Sequence, residues 1–173
     1  TRTKHGADKL AERLNRENLK GHYLSDGVHF LLQRGDEYHD IQPVWDWRKL
    51  PGATCRETNE PFPYGREVPS AGNTRFVGGV SDGRSGAAAM DYAKDGVTAR
   101  KAWFFLDHGF ACLGAGIASE TGHGVTTAVN QCLLKSPVWI LRDGQLRLLP
   151  QPGVAGGPIQ GVHHDGVGYF PLE

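Results

Sequence analysis

Between Glu12 and Asn18 the sequence reads ERLNREN, with two carboxylates, two side-chain amides and two guanidinium groups in one short run. A site for a polar, multiply hydroxylated ligand uses these residue types: amides and carboxylates exchange hydrogen bonds with hydroxyls, and Arg neutralises acidic groups. The same letters also suit a charged surface helix. Leu10 and Leu14 lie four apart with Ala7 and Ala11 around them, and Arg16 and Lys20 share a face at i, i+4. Residues 7–20 therefore have a helical look, and composition leaves both readings open.

Other chemistries would show themselves by motif. The chain has no HExxH, no GxSxG, no phosphate-binding loop and no dinucleotide fingerprint. Gly114-Ala115-Gly116 is too short to mean more than tight packing. His163 and His164 are adjacent, so on a strand they face opposite sides and do not share a metal. His108, beside Asp107, reads as a turn residue. Cys55, Cys112 and Cys132 form no CxxC pair and read as free thiols, with one disulfide plus a spare left open by the spacing. Trp45 and Trp47, two apart, fall on one face of an expected strand, as a sugar-stacking platform or as core; Trp103 and Trp139 read as core.

The elements that would position these residues are mostly strands. Gly makes up 24 of 173 residues, about twice its usual share of roughly 7%, and 10 Pro add further turns. Charged residues at 22% and hydrophobic residues at 39% exclude a disordered chain. A net charge of zero supplies no field to recruit nucleic acid. No apolar run reaches the roughly 18 residues of a membrane span.

HYLSDGVHFLLQRG reads as strand, Asp-Gly turn and strand, and ETNEPFPYGREVPSAGNTR as a long Pro-rich loop. From Phe76 strands recur: FVGGVSDG, GAAAMDYA, the hairpin WFFLDHGFACLGAGI, VTTAVNQCLL, the hairpin WILRDGQLRLL closed by Asp143-Gly144, and IQGVHHDGVGYFPL. About ten short strands with little helix and long loops predict an all-β fold, an antiparallel β-sandwich of large sheets. Length fits one domain over residues 1–173. The start TRTKHG and the terminal Leu172-Glu173 suggest an excised piece of a larger protein.

Taken together and in order, NRENLKGHYLSDG, PVWDWRKLPGAT, FVGGVSDG, ARKAWFFLDHGFACLGAGI, VTTAVNQ and HHDGVGYF resemble the polysaccharide lyases of the chondroitin AC lyase and hyaluronate lyase family, family 8. The resemblance implies the central β domain, of super-sandwich type, of an enzyme whose helical toroid precedes it. Such enzymes cleave chondroitin sulfate or hyaluronan by β-elimination, and they act outside the bacterial cytoplasm, in the periplasm or after secretion. Their catalytic Tyr and His, with an Arg and an Asn, come from the toroid.

In this stretch the family pattern is Glu, two residues, Asn, one residue, Glu, Asn, and Glu12, Asn15, Glu17 and Asn18 keep that spacing. By resemblance Glu12 is the accessory carboxylate and Asn15 a substrate hydrogen-bonding group. Glu17 and Asn18 brace the loop; Glu17 is also a second catalytic candidate and Asn18 a second substrate-binding one. The resemblance makes the segment irregular, against the helical look. Tyr64 is the nearest aromatic to the position of a substrate-stacking Trp. No cofactor is required. Some relatives bind calcium in the stretch matching WDWRKLPGATCRET; Asp46 and Glu57 keep acidic character there, but Arg48 and Thr58 stand where an acid and a Tyr are expected, which weakens the ligand set. The implied partners are the acidic polysaccharide and the toroid, with no nucleic acid and no membrane. A stand-alone carbohydrate-binding or structural β module is the alternative.

Overall fold

The computed structural model describes residues 2–3, 20–63, 72–151 and 153–172. The chain separates into two compact units, Thr1–Gln131 and Cys132–Glu173. In the first, β1 (Arg2–Thr3) pairs with β2 (Asp26–Val28), and β3 (Thr54–Arg56) with β8 (Val125–Thr127). Between these ribbons, β4 (Val77–Ser81), β5 (Gly86–Lys94), β6 (Val97–Leu106) and β7 (Gly109–Ser119) form a four-stranded antiparallel meander. The second unit is one antiparallel sheet of β9 (Trp139–Arg142), β10 (Gln145–Leu148), β11 (Gly161–His164) and β12 (Val167–Tyr169), ordered β10-β9-β11-β12. Among the described residues the only helical turns are short 3₁₀ segments at Gly21–Tyr23 and Gln42–Val44. The all-β, antiparallel expectation holds.

Local chemistry explains the hairpins. Asp95-Gly96, Asp143-Gly144 and Asp165-Gly166 each take positive φ at both residues, the conformation of the two-residue turn that matches strand twist. The β4–β5 turn is held by Asp82, whose Oδ1 accepts from Arg84 N (2.9 Å) and Ser85 N (2.7 Å). Arg84 then reaches the Asp107 carboxylate at the β6–β7 turn, tying two hairpin tips together. Gly116, at φ +60, sits where the β6–β7 register shifts, a glycine-dependent bulge opposite Ala99.

Along β6 alternate residues turn inward. Val97, Ala99 and Trp103 join Met90 and Tyr92 in a core on which Val77, Ala88, Phe105, Phe110 and Val125 pack. The other two inward positions carry lysines, Lys94 and Lys101, both buried. The segments around 22–29 and 50–53 meet this face.

Several expectations are corrected here. Asp26-Gly27 is not a turn; both residues lie inside β2. The first part of that stretch is a 3₁₀ turn, and residues 29–34 are not strand: the backbone N–H groups of Leu31, Gln33 and Arg34 donate to the Tyr38 and Glu37 side chains. Trp45 and Trp47 lie on no strand, since Pro43 opens a 3₁₀ turn just before them. Of VTTAVNQCLL only Val125–Thr127 pairs. Trp103 is core at 1% exposure, whereas Trp139 is 39% exposed on β9. The helical look over residues 7–20 falls on positions of which only Lys20 is described.

Gly27 occupies β2 at φ +82, and a Cβ there would lie 2.8 Å from Trp103 Cη2. Gly27→Ala therefore combines left-handed strain with a clash against a buried ring and should cost about 2–4 kcal/mol in urea unfolding. Gly144→Ala, at φ +71 with open space around it, should cost only about 1 kcal/mol. Equal losses for the two variants would remove the close-approach explanation.

Candidate functional site

Glu12, Asn15, Glu17, Asn18 and Tyr64 lie outside the described residues. The structure does describe the segment that follows the first four, and this segment is fastened to the β5–β6 hairpin. Asp95, in the turn, accepts from His22 Nε2 (2.7 Å) and from the Tyr23 hydroxyl (2.7 Å). Lys94, one residue earlier, forms an ion pair with Asp26 (2.7 Å) in which both side chains are at least nine-tenths buried, and also donates to the His22 carbonyl. One strand end and its turn thus hold residues 22–26 through two carboxylates. Lys94 also lies over the Tyr23 ring at 5.3 Å.

The electrostatics follow from burial and partners. Burial works to raise the Asp95 carboxyl, but the His22 hydrogen bond, the Tyr23 hydroxyl and Lys94 outweigh it and bring it to about 2. Burial raises Asp26, with Lys94 opposing. Burial, reinforced by Asp95, pushes Tyr23 far above the ordinary phenol range, and burial does the same to Tyr92. Both side chains are buried, so neither phenol is presented at the surface. Lys101, donating to the Gly52 carbonyl, is brought down to about 8 by burial. His29 is lowered to about 4 by burial as well.

A second cluster gathers the aromatic residues. Phe30 lies parallel to Trp45 (6.0 Å, 7°), Tyr38 meets Phe30 edge-on (4.9 Å), and Trp47 meets Trp45 edge-on (5.4 Å). Trp45 is buried, so its face is core and not an open platform; Trp47 is half-buried. Two neighbouring amides fix this arrangement. Asn130 Oδ1 accepts from the Tyr38 hydroxyl (2.9 Å), while the Gln131 side chain accepts from Asp46 N (2.7 Å) and donates to the carbonyls of Asp46 (3.0 Å) and Lys49 (2.9 Å). Trp45 Nε1 donates to the Gln131 carbonyl (3.1 Å). Glu37 accepts from the backbone of Gln33, Arg34 and Gly35; these bonds, led by that from Arg34, lower its carboxyl to about 2.

The proposed calcium ligands are engaged in other bonds. Asp46 accepts from Arg48 N (3.0 Å) and pairs with Lys49 (3.4 Å), and Glu57 accepts from the Thr126 hydroxyl. Arg48 donates to the Glu60 carbonyl and stacks on Phe62 at 4.1 Å. No group of three or more His, Cys, Asp or Glu side chains gathers for a metal among the described residues. This arrangement does not fit a calcium ion. Cys55, Cys112 and Cys132 form no disulfide, and Cys132 Sγ lies 3.7 Å from His164 Nδ1.

Residue reading missed the His22–Tyr23–Asp26–Lys94–Asp95 network. Its one sequence signal was Asp95-Gly96 between two strands, which marks a tight turn but not what docks on it.

Comparison with known proteins places the chain. The family described as polysaccharide lyase family 8, super-sandwich domain, matches residues 8–173. Over 130 residues the chain is 46% identical to the chondroitinase-AC of Pedobacter heparinus, covering 75% of this chain and 19% of that protein. It is 32% identical over 126 residues to the hyaluronate lyase of Thermasporomyces composti, covering 69% and 16%. A solved chondroitinase AC lyase superposes with a TM-score of 0.85 at 39% identity, over 98% of this chain and 25% of that one. A Paenibacillus xanthan lyase superposes at 0.73 and 26% identity, over 98% and 17%. The chain belongs to polysaccharide lyase family 8, as a super-sandwich domain. It spans less than a fifth of the length of these two relatives.

Asp95 yields a pH prediction. A carboxyl lowered from 3.8 to about 2 on folding contributes stability that is present above about pH 4 and lost as pH falls through about 2. The contribution is at most about 2 kcal/mol, for a side chain only 22% exposed. Asp95→Asn should therefore lower the urea midpoint at pH 6, and the gap to the wild type should narrow towards pH 2. A gap independent of pH would show that the hydrogen bonds matter and the charge does not.

Proposed function

We propose that this chain is the super-sandwich part of a lyase that cleaves acidic, uronic-acid-containing glycosaminoglycans, chondroitin sulfate or hyaluronan, by β-elimination. The observation that carries the reading is the 46% identity to a chondroitinase-AC, with a family match running along residues 8–173. The reaction removes the weakly acidic C5 proton of a uronic acid and expels the O4 leaving group. Hydrogen-bond donors must neutralise the adjacent carboxylate as negative charge develops, while a base and an acid handle the two protons.

Within that scheme Glu12 supports and orients cationic partners across the cleft, and Asn15 hydrogen-bonds substrate. Glu17 and Asn18 brace the segment. The catalytic Tyr and His belong to the helical toroid of the parent protein. The burial of Tyr23 and Tyr92 supports this division, because neither phenol is open to a polysaccharide. The anchor at Lys94 and Asp95 fixes residues 22–26, which follow that stretch in sequence. The substrates lie outside the cytoplasm, which makes the parent periplasmic or secreted. Asp46 and Glu57, held by protein partners, have no part in the reaction.

Two measurements test the reading. The isolated chain, incubated with chondroitin sulfate, should give no rise in the ultraviolet absorbance of unsaturated product; turnover by the fragment would overturn the division of labour. In the parent enzyme, Glu12→Ala should lower kcat/KM by about a hundredfold or more with thermal stability unchanged. An unchanged rate would return the segment to a merely connecting role.

A further inference from the structure

Residues 57–63 belong to no strand, and Pro61 and Pro63 have no N–H to donate. Glu57 still follows the course of β3, its N–H donating to the Gly124 carbonyl (2.8 Å). Beyond it two guanidinium groups close on one residue. Arg48 Nη2 donates to the Glu60 carbonyl, and Arg56 Nη2 to the Glu60 carboxylate (2.7 Å). The Arg48 guanidinium also lies over the Phe62 ring, 4.1 Å from its centroid. That ring in turn meets the rings of His22 and Tyr23, each 6.2 Å away between centroids. One side chain thus touches the loop at two points.

The origin of that side chain is fixed as well. Arg48 N donates to Asp46 Oδ1 (3.0 Å) and the Arg48 carbonyl accepts from the Cys55 thiol, while the Gln131 amide holds the backbone of Asp46 and Lys49. The nearby carboxylates are committed: Asp46 to Arg48 N and Lys49, Glu57 to the Thr126 hydroxyl, Glu60 to Arg56. A calcium ion needs roughly six to eight oxygen ligands. The loop offers its cation one carbonyl oxygen and the face of an aromatic ring. That pair suits a planar guanidinium, which stacks through its face and donates along its edge.

We propose that the Arg48 guanidinium is the resident cation of this stretch. It clasps residues 57–62 onto the 46–55 segment through Glu60 and Phe62, in the stretch where the family resemblance expects calcium, and makes the loop independent of divalent metal. Arg48 holds the loop, and no step of catalysis is assigned to it. The inference goes beyond the lyase reading and does not depend on it. Lysine is no substitute, since an ammonium is a compact point charge that does not stack on the ring while reaching the carbonyl.

The test is hydrogen–deuterium exchange of the parent protein, followed in peptides covering residues 57–62, with calcium chloride added or with calcium removed by EDTA. Exchange in the wild type should be the same in both. Arg48→Met keeps an apolar stem but removes charge and donors, and should speed exchange there by about tenfold, again with or without calcium. Arg48→Lys should recover little of that loss. Phe62→Leu removes the ring and leaves the Glu60 carbonyl in place; it should speed exchange by about threefold, and it carries the test if Arg48→Met does not fold. Unchanged exchange in the Arg48 and Phe62 variants would overturn the clasp. So would a wild-type loop that EDTA opens as far as Arg48→Met does, since a metal would then be the holder. Full recovery by Arg48→Lys would leave charge alone as the cause and overturn the stacked geometry. Chondroitin turnover by the same preparations keeps the two readings apart. An inactive parent whose loop depends on Arg48 and not on calcium keeps the clasp and loses the lyase assignment, and an active parent whose loop ignores Arg48 loses only the clasp.

Discussion

Two ammonium groups on the inward face of a β-hairpin set the terms for the rest of the first unit. Lys94 and Lys101 alternate with Tyr92, Ala99 and Trp103 on a face that is otherwise core. A buried cation is tolerated only with partners, and removing one partner from a buried pair costs about 3–5 kcal/mol. The segments around residues 22–26 and 50–52 supply those partners, through the Asp26 carboxylate and the carbonyls of His22 and Gly52. These loops are therefore structural parts of the core. Gly27 belongs to the same solution, since its missing side chain lets the backbone approach both Trp103 and Lys101.

The polar anchoring has a functional side. The stretch with the family's Glu-x-x-Asn-x-Glu-Asn spacing runs directly into the anchored segment. A buried, fully partnered ion pair fixes direction as well as distance, so residues 22–26 are held in one position. The amide pair Asn130-Gln131 does comparable work for the loop carrying Trp45, turning a stretch without regular structure into a defined surface.

Sequence reading succeeded where physics is local. The β4–β7 strands, the Asp143-Gly144 hairpin and the burial of Trp103 follow from turn chemistry and apolar pattern. It failed where a local signal was overruled from a distance. Asp26-Gly27 has turn letters but is strand, because Gly27 is needed for a close approach to a residue seventy-six positions later. Trp45 and Trp47 alternate like strand residues, yet side-chain amides from 130–131 hold them in a loop. Nothing in the spacing of Lys94 and Lys101 announced that they point inward. Of the candidate site, Glu12, Asn15, Glu17 and Asn18 were legible only through family likeness, since their letters alone suit a surface helix equally well.

The separation between the anchor and its partners shapes how the chain reaches its fold. The contacts of β5 with β6 and of β6 with β7 are short-range, whereas Asp26 waits for Lys94 across 68 residues and His22 for Asp95 across 73. Closing loops of that size comes late, after local hairpins have formed. During synthesis at ~5–20 residues per second, Asp26 leads its lysine by roughly 3–14 seconds. The segment around residues 22–26 is thus made before its partners and locked to them only after the local hairpins have formed.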